Sequence, residues 1–460
     1  MKPTNSLSTP RSQGDIDPSF ASNGVFPVEI DGYGRLKTSE LDTVRALDRA
    51  PDGGLVLALG CTHLETSVRG YALMRLTDQG ALDPSFGGGG FVIGSTPPEH
   101  ELLGAQPWIA PDRKTVVVLR DSSSRSWTLA RHDVDGRLDT AFGTLGYIDL
   151  DAIRPAGEPT VVKGFVIPGP GHAFYFVGTT RETMADAERF AGGIVFRFDA
   201  SGRLDPAFAG KGYAHVHVPL NPSGRVTDAV AQGDGKVVLS TATSSGNARV
   251  VRVLPTGEPD PGFGTNGVFV VEGPSQNRYE IEKLAWSADA GLWALGMVVS
   301  QSGRGGVLIA LNDEGDIPAS FNGGRLLEMS HGGEPDAGDG FAIPLYVEIA
   351  TGRGVITVGS PYHLGAREPK RMIVARHLPS GSLDPTFGED DPAGTPQGFY
   401  KVELAREGFN FFHQGVRMTE EHVIVELLNG DGGRSANPDR VTVERFIASK
   451  AAVGSPVKIE

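Results

Sequence analysis

The stretch Gly80-Ala-Leu-Asp-Pro-Ser-Phe-Gly-Gly-Gly-Gly90-Phe-Val-Ile93 is one of seven versions of the same pattern in this chain. Every version places a Gly six residues before a Phe: Gly14/Phe20, Gly80/Phe86, Gly136/Phe142, Gly202/Phe208, Gly257/Phe263, Gly315/Phe321 and Gly381/Phe387. Successive Phe positions are 66, 56, 66, 55, 58 and 66 residues apart. A fixed period marks a unit that cannot bury its apolar face alone and must stack on its neighbours.

Around each Phe the chain reads as four short strands. In the first full copy these are Val44-Arg-Ala-Leu, Leu55-Val-Leu-Ala-Leu, Tyr71-Ala-Leu-Met-Arg-Leu and Phe91-Val-Ile, with Pro51-Asp-Gly-Gly and Asp78-Gln-Gly as turns. Third-strand counterparts recur at Trp127, Ile194, Val250, Val307, Met372 and Val441. Short β-rich runs cut by Gly, Pro and Asp are the signature of strands and hairpins, and no segment keeps a 3.6-residue apolar period. Units of about 60 residues suit four-stranded blades with generous loops. The chain opens on a Phe motif with no third strand before it and closes on a third strand, Val441 to Ile447, with no Phe motif after it. A strand near Gly24 to Ile30 should therefore complete the last unit, closing a ring with no free sheet edge. The fold predicted is all-β: a seven-bladed β-propeller closed by its N-terminal strand, spanning 12–450, with tails at 1–11 and 451–460.

The recurring Gly-x-Leu-Asp-Pro-x-Phe-Gly core resembles the delta-60 repeat of bacterial proteins. That resemblance implies a β-propeller of unknown function. It covers about residues 12 to 450. Copy six departs from it, since Gly315-Asp-Ile-Pro-Ala-Ser-Phe321 lacks the Asp-Pro pair, and in copy seven Glu389 to Gln397 interrupts the glycine spacing.

The 460 residues would suggest several domains, but the repeat argues for one ring. Gly 63 and Pro 32 sit at recurring turns rather than in unpatterned tracts. A net charge of -14 argues against nucleic acid as a partner, because phosphate binding needs clustered cations. The single Cys61 excludes an internal disulfide framework. No apolar leader region is visible in Met1 to Gln13, and no run of 18 apolar residues suggests a membrane helix. A cytoplasmic monomer is the default expectation, with signal-less export as the alternative.

Eight residues before each motif Asp stands an Arg on strand three, giving Arg75/Asp83, Arg131/Asp139, Arg197/Asp205, Arg252/Asp260 and Arg376/Asp384, with Arg445/Asp17 expected across the ring closure. Copy six replaces both members, with Ala310 and Pro318. The joint loss fits a structural pair, since deleting one partner of a buried ion pair strands the other. The expected geometry is a bidentate guanidinium–carboxylate clamp fixing the turn between strands three and four. On that reading Asp205→Ala should lower stability by roughly 2–4 kcal/mol. The Phe is expected to fill the space between blades, and the Gly to end a turn.

His215-Val-His217 is the most metal-like pair, since i and i+2 share a strand face. The aligned positions in other copies carry Pro27 and Glu29, or Lys401 and Glu403, which reads as an exposed outer edge. His132 and His377, next to the clamp Arg, read as packing residues. Asp133-Val-Asp135-Gly and Asn429-Gly-Asp-Gly-Gly433 lack the closing Glu of a calcium loop and read as turns. No nucleophile–base spacing is present.

Loops between strands two and three, and from strand four to the next blade, vary in length and should emerge on one face, where binding usually resides. The longest, Thr179 to Phe190, reads as a short exposed helix or flap. Residues entering the innermost strands from that face would ring the channel mouth: Glu101, Asp228, Glu280, Glu282, Asp339, Asn410, Phe412 and His413. Such a ring could hold a divalent cation, Ca2+ above all, or a polar ligand; a solvated acidic funnel is the plainer reading. The function expected is a binding or scaffold propeller engaging a protein or small polar ligand through that face. The alternatives are a hydrolase or lyase with a metal-assisted site at the channel mouth, and a carbohydrate-binding propeller. The last is weakened because Trp108, Trp127, Trp286 and Trp293 fall at different blade positions.

Overall fold

In the structure, a computed structural model, the described residues run from Asp15 to Ile447 without 32, 38–46, 64, 66–68, 96–101, 122–125, 155–157, 185–186, 217–224, 243–246, 274–275, 302, 330–340, 351–353, 362–370, 391–393, 395–396, 404–409, 419–421 and 431–439. Strand β1 (Val25–Val28) stands apart in sequence from its sheet. Blade one holds β2 (Tyr33–Lys37), β3 (Leu47–Arg49), β4 (Leu55–His63), β5 (Arg69–Leu76) and β6 (Phe91–Gly94). Blade two holds β7 (Leu102–Ile109), β8 (Thr115–Asp121), β9 (Trp127–His132) and β10 (Tyr147–Asp149). A one-turn helix, α1 (Leu150–Ile153), leads to blade three: β11 (Thr160–Pro168), β12 (Phe174–Met184), β13 (Ala187–Phe198) and β14 (Tyr213–Val216). Blade four is β15 (Arg225–Ala231), β16 (Val237–Ala242), β17 (Arg249–Val253) and β18 (Val268–Val270). Blade five is β19 (Arg278–Ser287), β20 (Gly291–Ser300), β21 (Gly303–Leu311) and β22 (Leu327–Met329). Blade six is β23 (Phe341–Ala350), β24 (Gly354–Pro361), β25 (Arg371–His377) and β26 (Phe399–Glu403). Blade seven is β27 (Asn410–Met418), β28 (His422–Gly430) and β29 (Arg440–Ile447), and β1 completes it, antiparallel to β29 with Val25 opposite Glu444 and Val28 opposite Val441.

These seven antiparallel sheets form the seven-bladed propeller that the repeats predict. Innermost strands pack in succession: β3 on β7, β7 on β11, then β15, β19, β23, β27 and back to β3. There is no single central core. Seven apolar clusters each occupy one seam between adjacent blades, and the cluster with Phe20, Val28 and Val443 from blade seven and Leu55, Leu57 and Met74 from blade one fills the closing seam. Second strands are covered on both faces, so β4 and β16 are buried along nearly their whole length and are mostly apolar, β16 carrying Ser240 and Thr241 among its buried residues.

The repeated motif is the joint between blades. The residue after the motif Phe donates its N–H to the strand-three-to-four turn of the next blade: Ala21 to Gln79 O, Gly87 to Asp135 O, Gly143 to Ser201 O, Ala209 to Pro255 O, Gly264 to Glu314 O and Asn322 to Ser380 O, all at 2.7–2.9 Å. Six of the seven motif Phe side chains are at most 1% exposed, and Phe387 is 8% exposed.

Two details differ from the sequence reading. The innermost strand of blade one is in two pieces, because β2 pairs with the Gly60–His63 end of β4 while β3 pairs with its Leu55–Leu57 end. Val44 to Ala46, expected as strand, lie outside the described residues. No helix forms among the described residues of Thr179 to Phe190: β12 and β13 continue as one hairpin, with Met184 opposite Ala187. Strand pairing overrides the local helix-like composition there. The interruption in copy seven is a loop closed on itself by Gln397 N to Glu389 O (2.8 Å), after which Gly398 N returns to Phe387 O (2.7 Å).

Candidate functional site

The clamp residues come together in every blade that carries them. Arg Nε lies from Asp Oδ2 at 3.1 Å in Arg75/Asp83, 2.9 Å in Arg131/Asp139, 3.1 Å in Arg197/Asp205, 2.8 Å in Arg252/Asp260, 2.6 Å in Arg376/Asp384 and 2.8 Å in Arg445/Asp17. The geometry is not the expected fork on fork. The guanidinium uses one carboxylate oxygen, and the other, Oδ1, accepts the backbone N–H two residues on: Ser19, Ser85, Ala141, Ala207, Gly262 and Thr386. The Asp is thus both counter-ion and turn cap. For Asp17, burial alone would raise the carboxyl; the Ser19 hydroxyl and N–H and Arg445 hold it below the usual carboxylate range. Arginine also binds the next blade, since Arg445 Nη1 donates to Asp78 O (2.5 Å) and Arg131 Nη1 to Ala200 O. Four of these guanidinium groups lie 4.4–4.8 Å over the motif Phe ring of their own repeat. In copy six the turn persists through Phe321 N to Pro318 O (2.9 Å).

Asp205 does not form the tight clamp that the spacing predicts. Its side chain is 22% exposed, and Arg197 Nε, though 3.1 Å from Oδ2, has no hydrogen-bond partner among the described residues. The Arg197 guanidinium lies instead over the Tyr175 ring of β12, 5.8 Å from its centroid. What ties Asp205 to its turn is the Ala207 N–H, 2.9 Å from Oδ1. A partly solvated ion contact without an aligned hydrogen bond stabilises by no more than about 1 kcal/mol. The loss expected of Asp205→Ala is therefore corrected downward, to about that of the turn cap, roughly 1 kcal/mol. Arg75 Nε is likewise unaligned with Asp83, because Arg75 Nη2 is drawn to Asp52 Oδ2 at 2.5 Å.

The histidine expectations divide. His132 is buried, with Nδ1 2.8 Å from Gly136 O and Nε2 2.7 Å from the Tyr71 hydroxyl of blade one. A carbonyl only accepts, so Nδ1 carries the proton and Nε2 accepts from Tyr71. His377 Nδ1 meets Gly381 O at 3.0 Å. His215 Nε2 lies 2.5 Å from Glu158 Oε2, and His217 is outside the described residues. Asp133 Oδ1 accepts from Asp135 N and Arg137 N, an ordinary side-chain-closed turn. Residues 431–433 of the second calcium-like fragment lie outside the described residues.

Of the channel-mouth candidates, Glu101 and Asp339 are outside the described residues, and Asn410, Phe412 and His413 lie on β27. The other three form no shared carboxylate ring. Asp228 is 4% exposed and turned into the seam between blades four and five, where Oδ2 accepts from Leu284 N at 2.9 Å. A buried carboxylate needs such donors, so it is a joint rather than a mouth residue. Glu280 Oε1 lies 2.8 Å from Arg278 Nη2. Glu282 Oε1 lies 2.9 Å from Arg225 Nη2 of blade four. The Glu282 side chain is 12% exposed and sits where the pairing of β19 with β20 shifts register, a bulge that re-aims a side chain. Burial pushes its carboxyl upward, with Arg225, Lys283 and Lys163 opposing and Glu280 adding to the rise. Among the described residues no three His, Cys, Asp or Glu side chains are disposed to hold a metal ion.

Sequence reasoning looked for carboxylates and passed over their cations. Arg225 and Arg278 are the first residues of β15 and β19, and Lys163 lies on β11. The recurrence of Arg at a strand entry was the available signal.

The loop face carries one feature longer than the blades. β11 pairs with β12 only as far as Arg181, and β14 with β13 only from Gly193 onward, yet β12 and β13 stay paired to Met184 and Ala187. No helix among the described residues is long and apolar enough to cross a membrane.

Residues 232–263 match a family model described as "Domain of unknown function (DUF5122) beta-propeller". No curated protein matches the chain. Among solved structures it is similar to polysaccharide lyase Uly1, at 10% identity and a TM-score of 0.47 over 92% of this chain and 94% of that one. The β-propeller domain of the Trilobed protease from Pyrococcus furiosus, described as having an open velcro topology, is similar at 9% identity and a TM-score of 0.44, covering 92% and 100%. A PQQ-bound aldose sugar dehydrogenase from Streptomyces coelicolor is similar at 16% identity and a TM-score of 0.37, covering 74% and 94%.

Proposed function

We propose that this chain is a binding propeller whose variable-loop face engages a protein partner, with room for a small polar ligand at the channel mouth. The supporting observation is the β12–β13 ribbon. Glu182 to Met184 pair with Ala187 to Arg189 beyond the end of the blade, and no other described strand pairs with that extension. A two-stranded ribbon is marginal by itself in water, and an open strand edge offers backbone donors and acceptors to an incoming segment. A rigid ring, with its joints encoded by the repeat and its variable loops on one face, suits the presentation of such an arm.

The test is a variant in which residues 182–189 are replaced by a two-residue turn. Cross-linking followed by mass spectrometry should recover a partner with the full chain and lose it with the shortened one, while the Tm of the variant stays within about 2 °C. A shortened chain that keeps every partner of the full chain would sink this reading.

A further inference from the structure

We propose that the channel side of blades three to five is a subsite for a small carboxylate-bearing anion, which Arg225 holds in place of Glu282. This deepens the preceding reading and rests on it for the idea that the propeller binds something.

The charge arrangement is the opposite of what the whole chain would suggest. The protein carries a net charge of -14, yet the Glu282 carboxyl is surrounded by cations from three successive blades: Lys163 on β11, Arg225 on β15 and Lys283 beside it on β19. The other two carboxylates of this region are committed elsewhere, Asp228 to the Leu284 N–H and Glu280 to Arg278.

Arg225 is also underused. One of its nitrogens, Nη2, reaches one oxygen of Glu282, while Nε is buried with no hydrogen-bond partner among the described residues. A guanidinium can give a carboxylate two parallel bonds, and the Glu282 side chain, fixed at a bulge on the neighbouring blade, supplies one. A freely oriented carboxylate entering from the mouth can take both. Burial already disfavours the Glu282 charge, so its displacement is completed by proton uptake. The incoming carboxylate replaces Glu282 as counter-ion, and Glu282 takes one proton from solvent, which offsets one negative charge of the incoming anion. The groups bearing on that proton are Arg225, Lys283, Lys163 and Glu280.

Isothermal titration of the full chain with succinate, with inorganic phosphate as a second arm, tests this in buffers of different ionisation enthalpy at pH 5.5, 7 and 8.5. Succinate should bind with uptake of up to one proton and more tightly as pH falls. Arg225→Gln should weaken binding by more than about tenfold. Glu282→Gln should bind at least as well as the parent, with no proton uptake and a flat pH profile. Lys163→Gln, expected to weaken binding several-fold, serves if Arg225→Gln does not fold. The proposal falls if succinate does not bind, if phosphate binds and succinate does not, if Arg225→Gln binds as the parent does, or if Glu282→Gln loses binding at unchanged Tm. The chain shortened at 182–189 should bind succinate normally. Loss of succinate binding alone would therefore leave the partner reading standing, and loss of the partner alone would leave this one.

Discussion

At the scale of single residues, the Asp of each motif serves two partners, and the two can be separated. In the Arg252/Asp260 clamp both side chains are under 10% exposed, and Asp260 Oδ1 also accepts the Gly262 N–H at 2.9 Å. Asp260→Ala should cost about 3 kcal/mol, because it strands a buried guanidinium and uncaps a turn. Adding Arg252→Ala should cost little more, and the loss common to both backgrounds, about 1 kcal/mol, measures the cap. Urea unfolding of the parent and the three variants gives the cycle; strictly additive losses would mean the pair does not act as one unit. Asp205→Ala, at the more solvated clamp, is the internal control and should lose only the cap, since Asp205 is 22% exposed and Arg197 Nε is not bonded to it. A second residue-scale effect depends on pH. Burial pushes His377 down to about 4, against the opposing Gly381 carbonyl. Its folded-state affinity for a proton is below the unfolded value near 6.5. Its contribution is therefore fully present above about pH 6.5 and is lost as pH falls toward 4, on the order of 3 kcal/mol in all. The clamp aspartates Asp17, Asp139, Asp260 and Asp384 are held below 3.8, so their contributions are lost in a lower window, as pH falls below 3.8. Phe198 and Phe446 occupy the His377 position in other blades, both essentially fully buried. His377→Phe should make the fall of Tm between pH 6.5 and 4 shallower, leaving the part due to buried His132, which is lowered by the same cause, and the steeper fall below 3.8. An unchanged profile would remove His377 as the cause.

At the scale of the element, the motif Gly, in the six copies where it is described, answers to the neighbouring blade as well as to its own turn. Gly202 has φ +82°, and a Cβ there would meet the Phe142 ring of blade two at 2.7 Å; Gly210, in the same blade at φ +68°, would meet nothing within 4 Å. Both substitutions to Ala carry the left-handed backbone term of about 1 kcal/mol, while Gly202→Ala adds overpacking of about 1–3 kcal/mol. Calorimetry of the two variants should therefore show Gly202→Ala as clearly the worse, and equal losses would mean the blade seam yields. This scale also shows what the sequence could reveal. Gly six before Phe, Arg eight before Asp and the orphan third strand at the C-terminus are local spacings, and each appears in the structure as a turn, a pair and a shared blade. The spacing did not reveal how tightly each pair closes, because Asp205 and Asp260 have the same motif and differ in what surrounds the guanidinium. The turn of Asp228 into a seam was hidden, because the orientation of an inner-strand side chain depends on where the strand bulges, and the register shift between Val226 and Asp228 leaves no residue signature. The hairpin at Thr179 to Phe190 was hidden for a related reason, since its polar and small residues look helical until a partner strand is present.

At the scale of the whole molecule, stability is shared among seven seams, and the ring exists only because the two ends of the chain meet. Arg445 and Asp17 are paired across 428 residues, and Phe20, Val28 and Ile30 fill the seam with blade one. Closing so long a loop costs only logarithmically more than closing a short one, so a four-residue strand and one buried ion pair can hold it. Once closed, each blade has two neighbours; once opened, blades seven and one have one neighbour each, and Arg445 faces Asp78 O without its carboxylate. Stability in a stacked array is a sum of unit and interface terms, so removing residues 1–31 should subtract one complete interface and expose the β29 edge. The expected result is a Tm lowered by several degrees, since a loss above about 3 kcal/mol moves even large domains by that much, together with concentration-dependent association through the open edge. A synthetic peptide covering Asp15 to Asp31 should restore the parent's melting temperature and elution volume in proportion to its occupancy. A truncated chain that melts and elutes with the parent without the peptide would show that the inner-strand ring alone keeps the propeller shut.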